Sequence, residues 1–366
     1  MFYEYINKIH LDFVYVMLYT YFVRLSEGFG GEMSSQKARD ERLEYLRVFS
    51  CFMVIMGHIA NWYMRAYPNL SMDSYVLAIL VNGVCRVSVP IFFMISGALI
   101  LEQPTDFKKN KKRTLNMLSK TVIWTIIYIV WDFLYLGEKY EIREMFATPV
   151  RVHFWFLFVM VGIYATIPLW RKLVDGASKD LLRYFSILFI IITAATFIIK
   201  IHRMDIAYEF PLVGSSCYAG LFIMGYIIRH YIDEIRIPKW VSVLVIVGCI
   251  TATVLLTLVY TLRLNVHFEE FSNFRSIFIV LSALSVFYLV MRAKNLKHYK
   301  WMSVVSKYSF GIYMIHVFFL DILQQNIDIT EVSAWIGMPI FFIVLFSVSF
   351  VCSWLYEKAK CGRDII

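Results

Sequence analysis

Arg47 and His58 stand eleven residues apart on one apolar segment, Arg47-Val-Phe-Ser-Cys-Phe-Met-Val-Ile-Met-Gly-His58. At about 100° per helical residue, eleven steps make three turns and about 20°, so both side chains share a face, roughly 16 Å apart along the axis. A guanidinium is a rigid donor fork for a carbonyl, carboxylate or phosphate, and an imidazole takes and returns a proton near neutral pH. Such a pair suits chemistry that polarises one group and deprotonates another. Within lipid, a charge at the bilayer centre costs about 2.5–3.5 kcal/mol, so both groups must turn inward to a partner.

Three further segments hold polar groups in apolar surroundings. Asn82-Gly-Val-Cys-Arg86-Val-Ser88-Val-Pro90 places an arginine well inside a hydrophobic run, one helical turn from Asn82 and close to Ser88. Arg86 is either a structural cation satisfied by helix carbonyls or a clamp for an anion or carbonyl. Ser309, Tyr313 and His316 fall at i, i+4 and i+7 and share one face. That stripe reads either as interhelical hydrogen bonding or as part of a substrate site. His153-Phe-Trp155-Phe opens another apolar run, as an interfacial aromatic belt or as a substrate-orienting pair. Asp132 and Asp321 are carboxylates that could orient a histidine.

These side chains need a scaffold that keeps them from lipid. The 366 residues are 60% hydrophobic and 17% charged, with a mean hydropathy of +0.64. Soluble domains hold roughly 45–50% apolar and 25% charged residues, so the chain is an integral membrane protein. The expected fold is all-α, with ten transmembrane helices at about 46–64, 76–101, 117–136, 153–170, 181–200, 211–229, 240–262, 272–291, 303–323 and 333–356. Many interiors are rich in Val, Ile and Phe, yet their lengths and the backbone's need for internal hydrogen bonds in lipid decide for helix over strand.

The net charge of +9 is spread over the loops and nothing resembles a base-reading element, so nucleic acid is not an expected partner. Of six cysteines, Cys51, Cys85, Cys217, Cys249 and Cys352 fall in apolar segments and none forms a CxxC pair, so neither zinc nor a disulfide framework is suggested. No metal is expected. Basic residues concentrate in alternate loops: 34–45, 102–116 with Lys108, Lys109, Lys111, Lys112 and Arg113, 170–183, 229–239, 292–300 and the tail from Glu357. By the positive-inside rule those segments and both termini are cytoplasmic.

Residues 1–41 read as an N-terminal extension, either interfacial or untranslated with a start at Met33, and without a cleavable signal peptide. Residues 42–357 form one transmembrane domain and 358–366 a cytoplasmic tail. No phosphate-cradling glycine loop, HExxH or GxSxG occurs, so ATP-driven transport, zinc proteolysis and α/β-hydrolase chemistry lack their residues. Acid–base chemistry by histidine inside a membrane is left.

Leu46-Arg47 with His58 and Asn61-Trp62-Tyr63, then Arg86-Val-Ser-Val-Pro-Ile-Phe-Phe-Met-Ile-Ser-Gly97, His153-Phe-Trp-Phe and Ser309-Phe-Gly-Ile-Tyr-Met-Ile-His316 occur in this order. With these motifs the chain resembles the acyltransferase-3 family of multi-pass membrane acyltransferases over nearly all of residues 42–356. The resemblance implies a ten-helix enzyme that moves an acetyl or similar group from cytoplasmic acyl-CoA to a hydroxyl of a cell-envelope saccharide, with acetyl-CoA as donor and a lipid-linked glycan as acceptor.

It further implies catalytic roles for His58 and Arg47. Arg86, Ser88 and Arg42 are expected on the donor thioester, and Tyr313, His316, Ser309, His153 and Trp155 are expected to orient substrate. Some relatives carry an added hydrolase-like domain; here the last helix is followed by about ten residues, so transfer is expected to finish in the membrane domain. A transporter or flippase of an envelope glycan precursor is the competing expectation, because buried arginine and histidine also serve transport.

Overall fold

The computed structural model describes residues 40–104, 106–138, 140, 148–202, 216–294, 296–297 and 299–361. The N-terminal extension apart from its last residues, and the end of the tail, lie outside them. Among the described residues there is no strand, and nine helical segments, Met72–Ile100 counted as one, are long and apolar enough to cross a membrane. The helices are α1 (Glu41–Arg65), α2 (Met72–Cys85), α3 (Ser88–Ile100), α4 (Phe107–Trp131), α5 (Trp155–Asp175) and α6 (Lys179–Ile201). They continue with α7 (Ser216–His230), α8 (Lys239–Leu264), α9 (Ile277–Met291), α10 (Lys300–Asn326) and α11 (Ala334–Cys361).

Side-chain caps start several of them. Asp40 accepts from the Arg42 N–H, Asp106 from that of Lys108 and Ser178 from that of Leu181, each satisfying one of the four N-terminal donors a helix leaves open. Three expectations need correction. The third span begins at Phe107 rather than Met117, because its first turns carry the lysine run and escape a hydropathy criterion; it ends in a π-helical turn, Asp132–Leu136. The second span is not one helix. It breaks at Arg86–Val87 into α2 and α3, and Pro90 lacks the N–H that would have served the Arg86 carbonyl four residues earlier. The eighth span opens with a short 3-10 turn, Glu270–Ser272, and its α-helix starts only at Ile277. The sixth is described from Ser216 onward as α7; its expected start, 211–215, lies outside the described residues.

Internal packing divides the described chain into two units. One comprises 104–173 with the end of α11 from Leu355; the other comprises 38–103 with 174–354. In the first, the buried Asn110 of α4 donates to the Tyr164 carbonyl of α5. In the second, α1 is central, packing against α2, α3, α9 and α10. Its apolar face, including Ile55, Ile59 and Tyr63, joins Tyr75 and Ile79 of α2, Ile312 and Leu320 of α10, and Met338 and Phe341 of α11 in one core. By contrast α6, α8 and α11 display Ile187, Ile191, Leu244, Val247, Ile336 and Ile340, which is what lipid-facing helices should show.

Two features fix this unit. A Cβ at Gly97 would overlap the Phe222 carbonyl, and one at Gly225 would overlap that of Met94, so α3 and α7 touch backbone to backbone. At the start of α1, arginines tie down helix ends. Arg42 bonds Asp40 and the last carbonyl of α9, Met291, at 2.8 Å, while Arg229 bonds Asp40, Glu102 and the Ala98 carbonyl of α3. These carbonyls have no intrahelical donor, and a cation there also opposes the negative end of the helix dipole.

Gly97→Ala should therefore lower the detergent melting temperature, by an overpacking cost of about 1–3 kcal/mol, despite alanine's better helix propensity. Gly248→Ala, with open space around its Cβ, should not lower it. Burial opposes the Asp40 charge, but the hydrogen bond and field of Arg42, then Arg229, outweigh it and hold the carboxyl below its ordinary 3.8. A depressed carboxylate stabilises at neutral pH and loses that contribution as pH falls through its own range. Asp40→Asn should thus lower the melting temperature at pH 7 and flatten its decline below about pH 5.

Candidate functional site

The site grows from one face of α1. Glu44 accepts from Ser303 Oγ at 2.7 Å, Arg47 Nη1 donates to Ser306 Oγ at 3.3 Å, and the rings of His58 and His316 lie 5.1 Å apart between centroids. The partners on α10 follow in the same chain order as those on α1, so the two helices run parallel along a polar seam. Tyr313 stands 5.9 Å from His316, ring to ring, and Ser309 donates to the Ser306 carbonyl at 2.9 Å. The stripe foreseen on this helix thus faces α1. Gly311 allows the approach of α10 to α11 on another side: a Cβ there would come within 2.8 Å of Ser353 Oγ.

His316 Nδ1 lies 3.2 Å from the Ile312 carbonyl. A carbonyl only accepts, so this contact assigns the hydrogen to Nδ1 and, in the neutral ring, leaves the lone pair on Nε2. His316 is fully buried.

Arg86 occupies the break between α2 and α3. Its Nε donates to Asn82 Oδ1 at 3.0 Å, Asn82 Nδ2 donates to the Gly57 carbonyl at 3.3 Å, and the guanidinium lies over the Phe274 ring at 4.8 Å. The residue before His58 therefore supports, through one amide, the arginine that faces it. Gly57 permits this: a Cβ there would stand 3.2 Å from Cys85 Cβ. Among the described residues no hydrogen bond engages the two Nη ends of Arg86. They remain a bidentate donor pair. The electrostatic neighbours of His58 are His316, Arg86 and Arg65, and those of Arg86 include Glu269, Arg65 and Tyr218. Ser88 is buried at the first residue of α3, two positions after Arg86.

Four members of this neighbourhood were not expected: His267, Glu269 and Arg275 from the α8–α9 connection, and Tyr218 of α7, which stacks on Phe93 and neighbours both Arg86 and Arg275. A signal was present in Asn265-Val-His-Phe-Glu-Glu-Phe-Ser-Asn-Phe-Arg275, where phenylalanines recur every third residue among charged ones. That is too apolar for a solvated loop.

Other expected residues have different surroundings. Arg42 is committed to Asp40 and to the end of α9. His153 and Trp155 belong to the first unit: His153 is buried, edge-on to Tyr128 at 5.3 Å, and Trp155 begins α5. Asp132 does not orient a histidine; it accepts from Arg151 and, at 2.5 Å, from Tyr140. Asp321 is buried on α10, five residues after His316. A cavity of about 560 Å³ between α6, α7, α8 and α9 contains none of the site residues; it is walled by Leu182, Ile190, Met224, Ile228 and Leu284.

A histidine pair beside a guanidinium with two uncommitted donors can deprotonate a hydroxyl and polarise a carbonyl at one place. A profile of the acyltransferase domain matches residues 40–358, most of the chain and every residue of this site. No curated protein and no solved structure matches it. The chain belongs to the acyltransferase-3 family and is a multi-pass membrane acyltransferase.

Proposed function

We propose that the protein is an O-acetyltransferase of the bacterial inner membrane, moving acetyl from cytoplasmic acetyl-CoA to a hydroxyl of a lipid-linked envelope saccharide. The observation that carries this reading is the convergence of His58, His316 and Arg86, with the Nη ends of Arg86 uncommitted, partway along a helix whose Arg47 lies roughly 16 Å nearer its start. The motifs look like those of the O-acetyltransferase of enterobacterial common antigen. A broken span with a buried arginine is also a transporter device. The family match favours acyl transfer.

In this mechanism the acceptor hydroxyl gives its proton to His58 as its oxygen attacks the thioester carbonyl. The carbon–oxygen bond forms, the carbon–sulfur bond breaks, and the thiolate recovers the proton from the imidazolium. Charge developing on the carbonyl oxygen meets the two Nη donors of Arg86, a stabilisation of the kind worth about 10²–10³ in rate. Arg47, on the end of α1 where basic loops cluster, serves the donor's phosphates, while Arg42, held by Asp40 and the end of α9, shapes that end of the site rather than binding there, and Ser88 lies beside the thioester. Tyr313, His316 and Ser309 hold the acceptor and the base in register.

His58→Ala should leave a folded protein, judged by size-exclusion profile and melting temperature, and lower glycan acetylation by about 10²–10⁴. Mass spectrometry of envelope glycans from cells bearing each variant reads this; near-wild-type acetylation would refute the mechanism. Arg86→Lys keeps the charge but not the fork and should cost about 10²-fold in the same assay. Acetyl-CoA should raise the melting temperature of the solubilised wild type, which a pure transporter would not show.

A further inference from the structure

The connection between α8 and α9 holds a third histidine whose hydrogen bonding is half complete. Tyr75, fully buried, donates to Thr261 Oγ1 at 3.0 Å, and the same oxygen accepts from the Phe268 N–H at 3.1 Å. Nδ1 of His267 lies 2.8 Å from the Tyr75 hydroxyl. With the tyrosine's one hydrogen placed on Thr261, Nδ1 is the donor, and the neutral ring carries its lone pair on Nε2. The ring also stands edge-on to Tyr75, with centroids 6.0 Å apart. It is thus held from behind by α2 and α8.

Nε2 is buried and has no hydrogen-bond partner among the described residues. An acceptor in that state is destabilising, and a donating ligand would remove the penalty. Burial lowers the His267 pKa below its ordinary 6.5, and Arg86 and Arg65 lower it further against the pull of Glu269, so the ring is neutral at pH 7. Its neighbours place it within the site. Arg86 and Arg65 are the two guanidinium groups that also act on His58. Arg65 ends α1 roughly 10 Å beyond His58, on the side away from Arg47. His58 and His267 therefore share Arg86 and Arg65 as charged neighbours, and His267 lies toward the end opposite the proposed donor phosphates.

We propose that His267 is the acceptor-binding residue of this site: its Nε2 takes a hydrogen bond from one hydroxyl of the saccharide while a neighbouring hydroxyl of the same sugar faces His58. This rests on the acyl-transfer reading given above. It assigns the α8–α9 connection to acceptor recognition and adds a residue to which no motif points. The ligand class is polyhydroxylic, because a lone-pair nitrogen needs a donor and a sugar supplies several at short spacing.

The test compares wild type, His267→Ala and His267→Gln at equal membrane abundance, by the acetylated fraction of envelope glycans and by the melting-temperature rise that acetyl-CoA gives the solubilised protein. His267→Ala should lower acetylation about tenfold, the worth of one good neutral hydrogen bond, while keeping the acetyl-CoA shift. His267→Gln, whose amide oxygen can take the same hydrogen bond, should return to within about threefold of wild type. A purely structural role would move the melting temperature of both variants and would not be rescued in acetylation. Wild-type acetylation in His267→Ala, or parallel loss of acetylation and of the acetyl-CoA shift, overturns the assignment. Should the alanine variant fail to fold, a folded glutamine variant with tenfold lower acetylation overturns it equally. A wild type with neither glycan acetylation nor an acetyl-CoA shift defeats the acyl-transfer reading itself, whatever His267 does.

Discussion

A helix that carries Glu44, Arg47 and His58 through an apolar span can exist only if neighbouring helices offer polar partners at matching heights. Lipid supplies none, and each unmet group would cost several kcal/mol. Serines 303 and 306 and His316 meet that need from α10, which is why α10 must run parallel to α1 and in this register. The Asn82 amide meets it from α2, joining the carbonyl before His58 to Arg86. The close approaches at Gly57 and Gly311, and the backbone contact of α3 with α7, follow from bringing these helices near enough. The catalytic groups are thus placed by the same contacts that make α1 tolerable in a membrane.

The break in the second span illustrates the exchange between stability and chemistry. An unbroken helix would have used the Arg86 carbonyl internally and carried the side chain on an ordinary turn. Instead, Pro90 withholds its donor and α2 stops at Cys85 with Arg86 in the cap position. An interrupted helix is tolerated in lipid because neighbouring protein surrounds the gap: Asn82, Phe274 and the close α3–α7 packing.

Much of this was readable in the chain before any coordinates. Arg47, Arg86, His58 and His316 stood out because titratable groups in apolar runs must turn from lipid toward a partner. Helical periodicity then gave the shared face of Ser309, Tyr313 and His316. Three things were hidden. The start of α4 was masked because its first turns are charged, so length and hydropathy disagreed. The helix break was signalled by Pro90 but not located by it. His267, Glu269 and Tyr218 were illegible because membership of the site depends on how α2, α7 and the α8–α9 connection meet, a contact between segments nearly two hundred residues apart. Arg42, obvious as a cation, owes its partners to where α9 ends.

The ten residues separating Arg47 from His58 act as a gauge rather than a message. Gly57, whose Cβ would crowd Cys85, and the buried Ser50 apart, their identities can drift among apolar types with little consequence beyond packing. Their number cannot. One inserted residue would swing Arg47 by about 100° and shift it 1.5 Å, turning it from Ser306 toward another neighbour while His58 stayed in place. In this stretch, then, selection would act on spacing before spelling, and a chain of the same lineage would be recognised by its count where its letters had changed.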